Sequence, residues 1–195
     1  MKMKTQIRAA LAATIPLVLA MTLAGCSDAS TTPADPSATG EAQSPGMADI
    51  MFTTMMIPHH EQAIEMSDVV LDKDGIDPRV ADLAERIKAA QGPEIDMLRG
   101  WLDAWGVDEA GDMSGMGHGD GMMSDADMTA LADAPADEAS RLFLEQMIVH
   151  HEGAVEMAEV QVAEGQDAGA IALAQAVIDA QTAEIAEMRE LLEDL

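Results

Sequence analysis

Two stretches of the sequence carry the same pattern of methionine, histidine and glutamate. Residues 52–66 read FTTMMIPHHEQAIEM, and residues 143–157 read FLEQMIVHHEGAVEM. Four of the five histidines of the chain fall in these two copies. Neutral imidazole binds several transition metals, and thioether sulfur favours Cu(I) among them. The pattern therefore predicts a copper site that favours Cu(I) and also accepts Cu(II).

Helical spacing brings these groups onto shared faces, because positions three and four apart on a helix are neighbours. Met55 and Met56 stand one turn before His59 and His60, and Met147 stands in the same relation to the second histidine pair. The alternative for the methionines is that they fill the core, as methionine at helical spacing often does. The predicted metal ligands are His59, His60, His150, His151, Met55, Met56, Met66, Met147 and Met157.

A glycine-rich tract, DMSGMGHGDGMM at 112–123, offers further soft ligands. Glycine lets a backbone fold round an ion but fixes no geometry. We expect a weaker, adaptable copper site here, and the alternative is a linker that happens to be rich in methionine. Its ligands would be Met113, Met116, His118, Met122 and Met123.

Enzyme signatures fit the sequence poorly. Three residues before each histidine of the pairs stands methionine or isoleucine, so the Glu-x-x-His pattern of di-iron bundles fails. The His-Glu-x-x-His pattern fails too, and no nucleophile motif or phosphate loop occurs. Glu61, Glu65, Glu152 and Glu156 are expected to be solvated or to support the ligands. We expect a binding protein without catalysis; a metal oxidase and a methionine-rich interaction module without metal are the alternatives.

The N-terminal segment predicts that the protein is located outside the cytoplasm. Three basic residues precede an apolar run at 9–23 that is too short to span a bilayer comfortably. Leu23-Ala24-Gly25-Cys26 resembles the cleavage box of bacterial lipoproteins, which implies a signal peptide at 1–25 and a membrane anchor on lipidated Cys26, the only cysteine. An ordinary signal peptide is the alternative. Residues 26–46 are rich in Ser, Thr, Ala and Pro and predict a flexible tether.

Composition indicates one all-helical domain at 47–195. Aromatic residues make up 2% of the chain, and good helix formers dominate. The formal net charge of −26 argues against nucleic acid and anionic membrane surfaces as partners. Apolar periodicity and capping residues predict long helices over 47–71, 78–105, 137–163 and 168–192, with a short helix over 125–131.

The repeat extends beyond the histidines. The first helix of each pair aligns at an offset of 91 residues, and the second at 90, where Gln91, Glu94, Ile95 and Arg99 match Gln181, Glu184, Ile185 and Arg189. Two helix hairpins, 47–106 and 137–195, are therefore predicted to pack as a four-helix bundle with a long crossover rich in Met and Gly. A two-fold relation between them would bring the two histidine pairs into one central region.

These residues resemble a DUF family of secreted bacterial proteins with a ferritin-like four-helix fold. The shared pattern is Phe, then Met-Ile-x-His-His, then Ala-Ile/Val-x-Met, and later Gln-x-x-Glu-Ile, and both copies match it. The resemblance implies copper binding that supports copper tolerance, with sequestration or transfer of the ion. In the later segment Met97 is matched by Glu187, and Met188 by Leu98, so the resemblance does not extend to these two methionines as ligands.

Overall fold

The computed structural model describes residues 44–109 and 121–195, so the predicted signal peptide, Cys26, nearly all of the predicted tether and most of the 112–123 tract lie outside the described residues. The described part is helical and contains no strand. The helices are α1 (Met47–Leu71), α2 (Pro78–Trp105), α3 (Asp125–Asp133), α4 (Ala136–Glu164) and α5 (Ala168–Asp194). The all-α prediction is confirmed, and each predicted helix is present within two residues at either end.

Capping residues explain where the second helix of each hairpin begins. The Asp77 carboxylate accepts the backbone N–H of Arg79 at 2.8 Å, and Pro78 occupies the first turn of α2, where its missing N–H costs nothing. The Asp167 carboxylate accepts the N–H of Ala170 at 2.9 Å at the start of α5. Gly106 ends α2 with φ of +67°, a left-handed conformation that favours glycine.

The helices pack as two antiparallel hairpins joined through their first helices. α1 packs on α2, α4 packs on α5, and α1 and α4 pack on each other across the middle of the bundle. The short α3 lies against α1 and α4. No helix among the described residues is both long enough and apolar enough to cross a membrane.

A polar layer divides the apolar core into two clusters. One cluster contains Met66, Leu83 and Phe143, and the other contains Phe52 and Leu98. Each long helix contributes to both clusters and carries buried polar residues where it passes from one to the other. This polar layer consists of His59, His60, Gln91, His150, His151 and Gln181.

Candidate metal centre

The two histidine pairs meet at the centre of the bundle, as the repeat predicts. His59 is the middle residue of α1, and His150 is the middle residue of α4. Their ring centroids lie 3.7 Å apart with the planes tilted by 41°, and each residue is 1% exposed. A two-fold relation between the hairpins thus places equivalent imidazoles in contact with each other.

A glutamate from the second helix of the same hairpin holds each of the other two histidines. His60 Nε2 lies 2.7 Å from Glu94 Oε2, and His151 Nε2 lies 2.7 Å from Glu184 Oε2. An ionised carboxylate can only accept a hydrogen bond, so Nε2–H must donate, and Nδ1 of the neutral ring keeps its lone pair. Carboxylates orient metal-binding histidines in this way in many proteins.

The nitrogen that remains available on each of these rings is buried. Nδ1 of His60 and Nδ1 of His151 have no hydrogen-bond partner within the described residues, although both side chains are fully buried. A buried polar atom without a partner costs free energy, so such atoms are uncommon unless an ion or water satisfies them. The lone pair of each Nδ1 is therefore suited to an ion that enters the polar layer.

Burial also keeps His150 uncharged at neutral pH. It lowers the pKa of His150 well below the ordinary value of 6.5, and the neighbouring His59 and His151 imidazoles lower that pKa further. A neutral imidazole is the form that binds metal. The polar layer therefore presents a lone pair on His150 at neutral pH without first losing a proton.

Two glutamines complete the layer. Gln91 is 3% exposed and Gln181 is 4% exposed, and the Oε1 atom of each has no hydrogen-bond partner in the described ranges. Sequence reasoning used these glutamines, together with Glu94 and Glu184, only as markers of the repeat. The recurrence of a glutamine and a glutamate three residues apart in both second helices is the signal that could have identified them as part of the site.

The predicted thioether ligands divide between core and surface. Met56, Met66 and Met147 are fully buried within the apolar clusters. Met157 is half-buried at the edge of one cluster, and Met55 is also half-buried. In the described part of the chain, no three His, Cys, Asp or Glu side chains are grouped so that they could hold a metal ion. An ion at the histidines would therefore need ligands of another type, such as the thioether sulfur of Met56 and Met147, which stand one turn before the pairs.

The carboxylates next to the histidines in sequence face solvent. Glu61 pairs with Arg99 at 2.5 Å, and Glu152 pairs with Arg189 at 2.6 Å, all on the exposed surface. Glu65 and Glu156 are also exposed. The expected solvated position is confirmed for all four, and the carboxylates that contact histidine come instead from α2 and α5.

The end of the crossover lies against the histidine turn of α4. Gly121 has φ of +91°, and a Cβ there would lie 2.7 Å from the carbonyl oxygen of Val149 and 3.1 Å from that of His150. On α1, the Gln62 amide donates to the carbonyl of Met123 at 2.9 Å and accepts its N–H at 2.7 Å. Met122 and Met123 are half-buried here, whereas Met113, Met116 and His118 lie outside the described residues.

Comparison with known proteins supports the sequence resemblance. Residues 49–192 match the model of a family described as "Domain of unknown function (DUF305)". A DUF305 protein of Streptomyces coelicolor, described as secreted in its crystal structure, is 34% identical, with 75% of this chain and 93% of that chain covered and a TM-score of 0.71. A search of the curated proteins found no significant match.

Solved structures of the protein CopM are also similar. CopM in the Cu(I)-bound form is 30% identical, with 75% of this chain and 96% of CopM covered and a TM-score of 0.63. CopM in the Cu(II)-bound form gives 31% identity, the same coverage and a TM-score of 0.64. A protein of this fold therefore binds copper in both oxidation states.

Proposed function

The chain belongs to the DUF305 family, and from that premise we propose that it is an extracytoplasmic protein that binds copper in its polar layer. One observation carries the proposal: His60 and His151 are each oriented by a glutamate through Nε2, while each buried Nδ1 lacks a hydrogen-bond partner within the described residues. The copper-bound forms of CopM, at about 30% identity, support copper as the ion.

The residues present fit a soft metal ion. His59, His60, His150 and His151 would supply nitrogen, and Met56 and Met147, one turn before the pairs, would supply sulfur. Cu(I) is favoured because thioether is a soft ligand, and Cu(II) is accommodated because imidazole binds it well. The polar layer is enclosed between two apolar clusters, which supports sequestration or transfer of the ion. We propose that this binding contributes to copper tolerance.

We propose that the protein holds or passes the ion without turnover. Glu94 and Glu184 each bind a histidine nitrogen, so these carboxylates serve to orient imidazoles. A metal oxidase would consume oxygen when Cu(I) or Fe(II) is added to the purified protein. We expect no oxygen consumption above that of the ion alone.

The N-terminal sequence and the S. coelicolor relative, which is described as secreted, support the proposed extracytoplasmic location. We propose that Cys26 is lipidated and anchors the protein to the outer face of a membrane, with the bundle on a tether. Mass spectrometry of the protein purified from membranes would detect the lipid on Cys26, and Cys26→Ala should release the protein into the soluble fraction.

The tautomer of the histidines gives a sharp test of the copper site. In the double variant Glu94→Gln and Glu184→Gln, the amide can donate to Nε2, which moves the ring proton to Nδ1 and removes the lone pair that faces the polar layer. Loss of such a carboxylate typically costs 10–100-fold in metal affinity, and we expect about that loss for Cu(I). Titration with Cu(I), followed by elemental analysis of the complex, measures it.

A matched control is available on the same hairpins. Glu61 and Glu152 are also acidic, adjacent to the histidines in sequence and related by the repeat, but they face solvent. The double variant Glu61→Gln and Glu152→Gln should keep the affinity of the unaltered protein. Equal affinity in both double variants would contradict the proposed role of the polar layer.

A further inference from the structure

A groove lined by methionines lies on the surface, outside the polar layer. It has a volume of about 310 Å³ and runs between the first half of α1 and the second half of α4. Met47, Met51 and Met55 line it from α1, and Met157 lines it from α4. The three α1 methionines are spaced four residues apart, so they form one row along the helix.

The repeat shows that the bundle does not require methionine at these positions. Met47, Met51 and Met55 correspond to Glu138, Leu142 and Gln146 in the second hairpin. The fourth methionine, Met157, corresponds to Met66, which is fully buried in the core. Packing of the same helix pair is thus achieved with a carboxylate, an aliphatic chain and an amide in the other hairpin.

Exposure separates this row from ordinary core methionine. Met47 is 71% exposed, and Met51 and Met55 are half-buried, whereas Met56 and Met66 are fully buried. Four thioethers that line one groove offer soft, uncharged ligands that remain available whatever the protonation of histidine. Glu164, which also lines the groove, supplies a negative charge suited to a monovalent cation.

We propose that this groove is a second soft-metal site, built from thioether sulfur alone, which binds Cu(I) or Ag(I) separately from the histidines. Met55 and Met157, which the sequence pattern grouped with the histidines, belong to this second site. Met55 is one helical turn from His59, so an ion bound by Met55 would lie close to the point where α1 reaches the polar layer. The proposal needs no ligand from the histidine pairs and holds or fails independently of the proposed function.

The test uses Ag(I), a soft monovalent ion that does not change oxidation state during titration. In the triple variant Met47→Leu, Met51→Leu and Met55→Leu, leucine keeps a similar volume and removes the sulfur. We expect it to lose one bound equivalent of Ag(I) while its melting temperature stays close to that of the unaltered protein. Met97→Leu is the matched control, because Met97 is 47% exposed on α2 and outside the groove.

A second measurement does not depend on the variants. Ag(I) bound to thioether should protect the four groove methionines from oxidation by peroxide, and peptide mass spectrometry would report sulfoxide at each position. Met97 should oxidise at the same rate with and without Ag(I). Protection of the groove methionines alone is the expected result, and equal oxidation of groove and control methionines would overturn the proposal.

Comparison of a histidine variant with the methionine variant distinguishes the two proposed sites. The double variant His60→Ala and His151→Ala should keep the equivalent of Ag(I) that the triple methionine variant loses. If the histidine variant loses every equivalent and the methionine variant loses none, the groove is not a metal site, and the proposed function stands. If the methionine variant alone loses Ag(I), the groove proposal stands, and the histidine site fails.

Discussion

In α1 and α4, equivalent first turns reach the opposite hairpin with different side chains. Asp49 in α1 accepts the backbone N–H groups of Gln166 and Asp167, in the loop between α4 and α5, at 3.0 and 3.1 Å. Ser140, the equivalent residue in α4, accepts the N–H of Asp77, in the loop between α1 and α2, at 3.2 Å. The same contact is therefore made once by a buried carboxylate and once by a hydroxyl.

The middle of the bundle does not differ in this way. The contacts from His60 to Glu94 and from His151 to Glu184 have the same atoms and the same 2.7 Å distance. Gln91 and Gln181 occupy matching buried positions. Loop contacts at the two ends can be satisfied by several side chains, whereas each hairpin contributes the same two histidines, one glutamine and one glutamate to the centre, as expected of the proposed shared site.

The largest difference between the hairpins should appear at Asp49 and Ser140. Asp49→Ala removes an acceptor that also binds the Gln161 amide at 2.6 Å, and it leaves buried donors without a partner. We expect a loss of about 3 kcal/mol in the free energy of unfolding, against about 1 kcal/mol for Ser140→Ala. Urea denaturation of both variants measures the difference, and equal losses would show that the carboxylate adds nothing to the hydroxyl contact.

The free energy of unfolding should fall in two different pH ranges, one set by His150 in the polar layer and one set by Asp49 at the start of α1. The lowered pKa of His150 means that the unfolded chain takes up its proton first as pH falls below about 6.5, so the metal-free bundle loses up to about 1.4 kcal/mol per pH unit from that point. Burial alone would raise the pKa of Asp49, but hydrogen bonds from Gln161 and backbone N–H groups lower it below 3.8. Its contribution to stability is therefore lost only at more acidic pH.

Urea denaturation of the metal-free protein at several values between about pH 7.5 and about pH 3 would resolve the two ranges, which lie below the ordinary pKa values of His and Asp. His150→Gln should reduce the dependence of stability on pH in the upper range and leave the dependence in the lower range unchanged. Asp49→Asn should do the reverse. Stability that is constant from about pH 7 to about pH 5 would contradict the neutral, buried state of His150.

A smaller difference is expected where the crossover contacts the hairpins. Gln62 in α1 makes two hydrogen bonds to the backbone of Met123, and the equivalent residue in α4 is Gly153, which has no side chain to do so. Gln62→Ala should weaken this attachment by about 1 kcal/mol, which accelerates amide exchange at Met123 about fivefold. Glu65→Ala, an exposed change one turn along α1, should leave that exchange rate unchanged.

The smallest effects should come from an exposed ion pair that occurs in both hairpins; in the first hairpin its arginine, Arg99, also pairs with Glu109 at 3.2 Å. Arg99 binds Glu61, and Arg189 binds Glu152, with every side chain more than 40% exposed. Exposed pairs of this kind contribute roughly 0–1 kcal/mol, so Arg99→Ala and Arg189→Ala should each cost less than about 0.5 kcal/mol. Thermal melts of both variants measure the losses, and a loss above about 1 kcal/mol in either would contradict the small contribution expected of exposed pairs.

Local signals in the sequence were sufficient for the helices and for the meeting of the histidines. Asp77, Pro78 and Gly106 set the ends of α2 through capping and backbone conformation, which depend on neighbours along the chain. The 91-residue offset fixed the symmetry, and that symmetry required His59 and His150 to lie near one axis. The architecture could therefore be predicted from periodicity, because the fold is built from one hairpin pattern used twice.

The partners of the histidines could not be predicted in the same way. Helical periodicity gives the face of α2 on which Glu94 lies, but not how far α2 slides along α1, and that displacement decides which carboxylate meets His60. Asp49 was missed for a similar reason. Its role depends on the loop between α4 and α5, more than 100 residues away in sequence.

The contact between the equivalent residues His59 and His150 also has a consequence for how such a protein can arise. Two copies of a single hairpin that associated about a two-fold axis would place the same histidine opposite itself, so the site would already exist between subunits. Gene duplication and fusion would then convert that association into an intramolecular one, held at high effective concentration by the crossover. Once the halves were joined, each could mutate alone. One half could acquire a row of surface methionines and a buried aspartate without imposing them on the other, a freedom that a homodimer lacks.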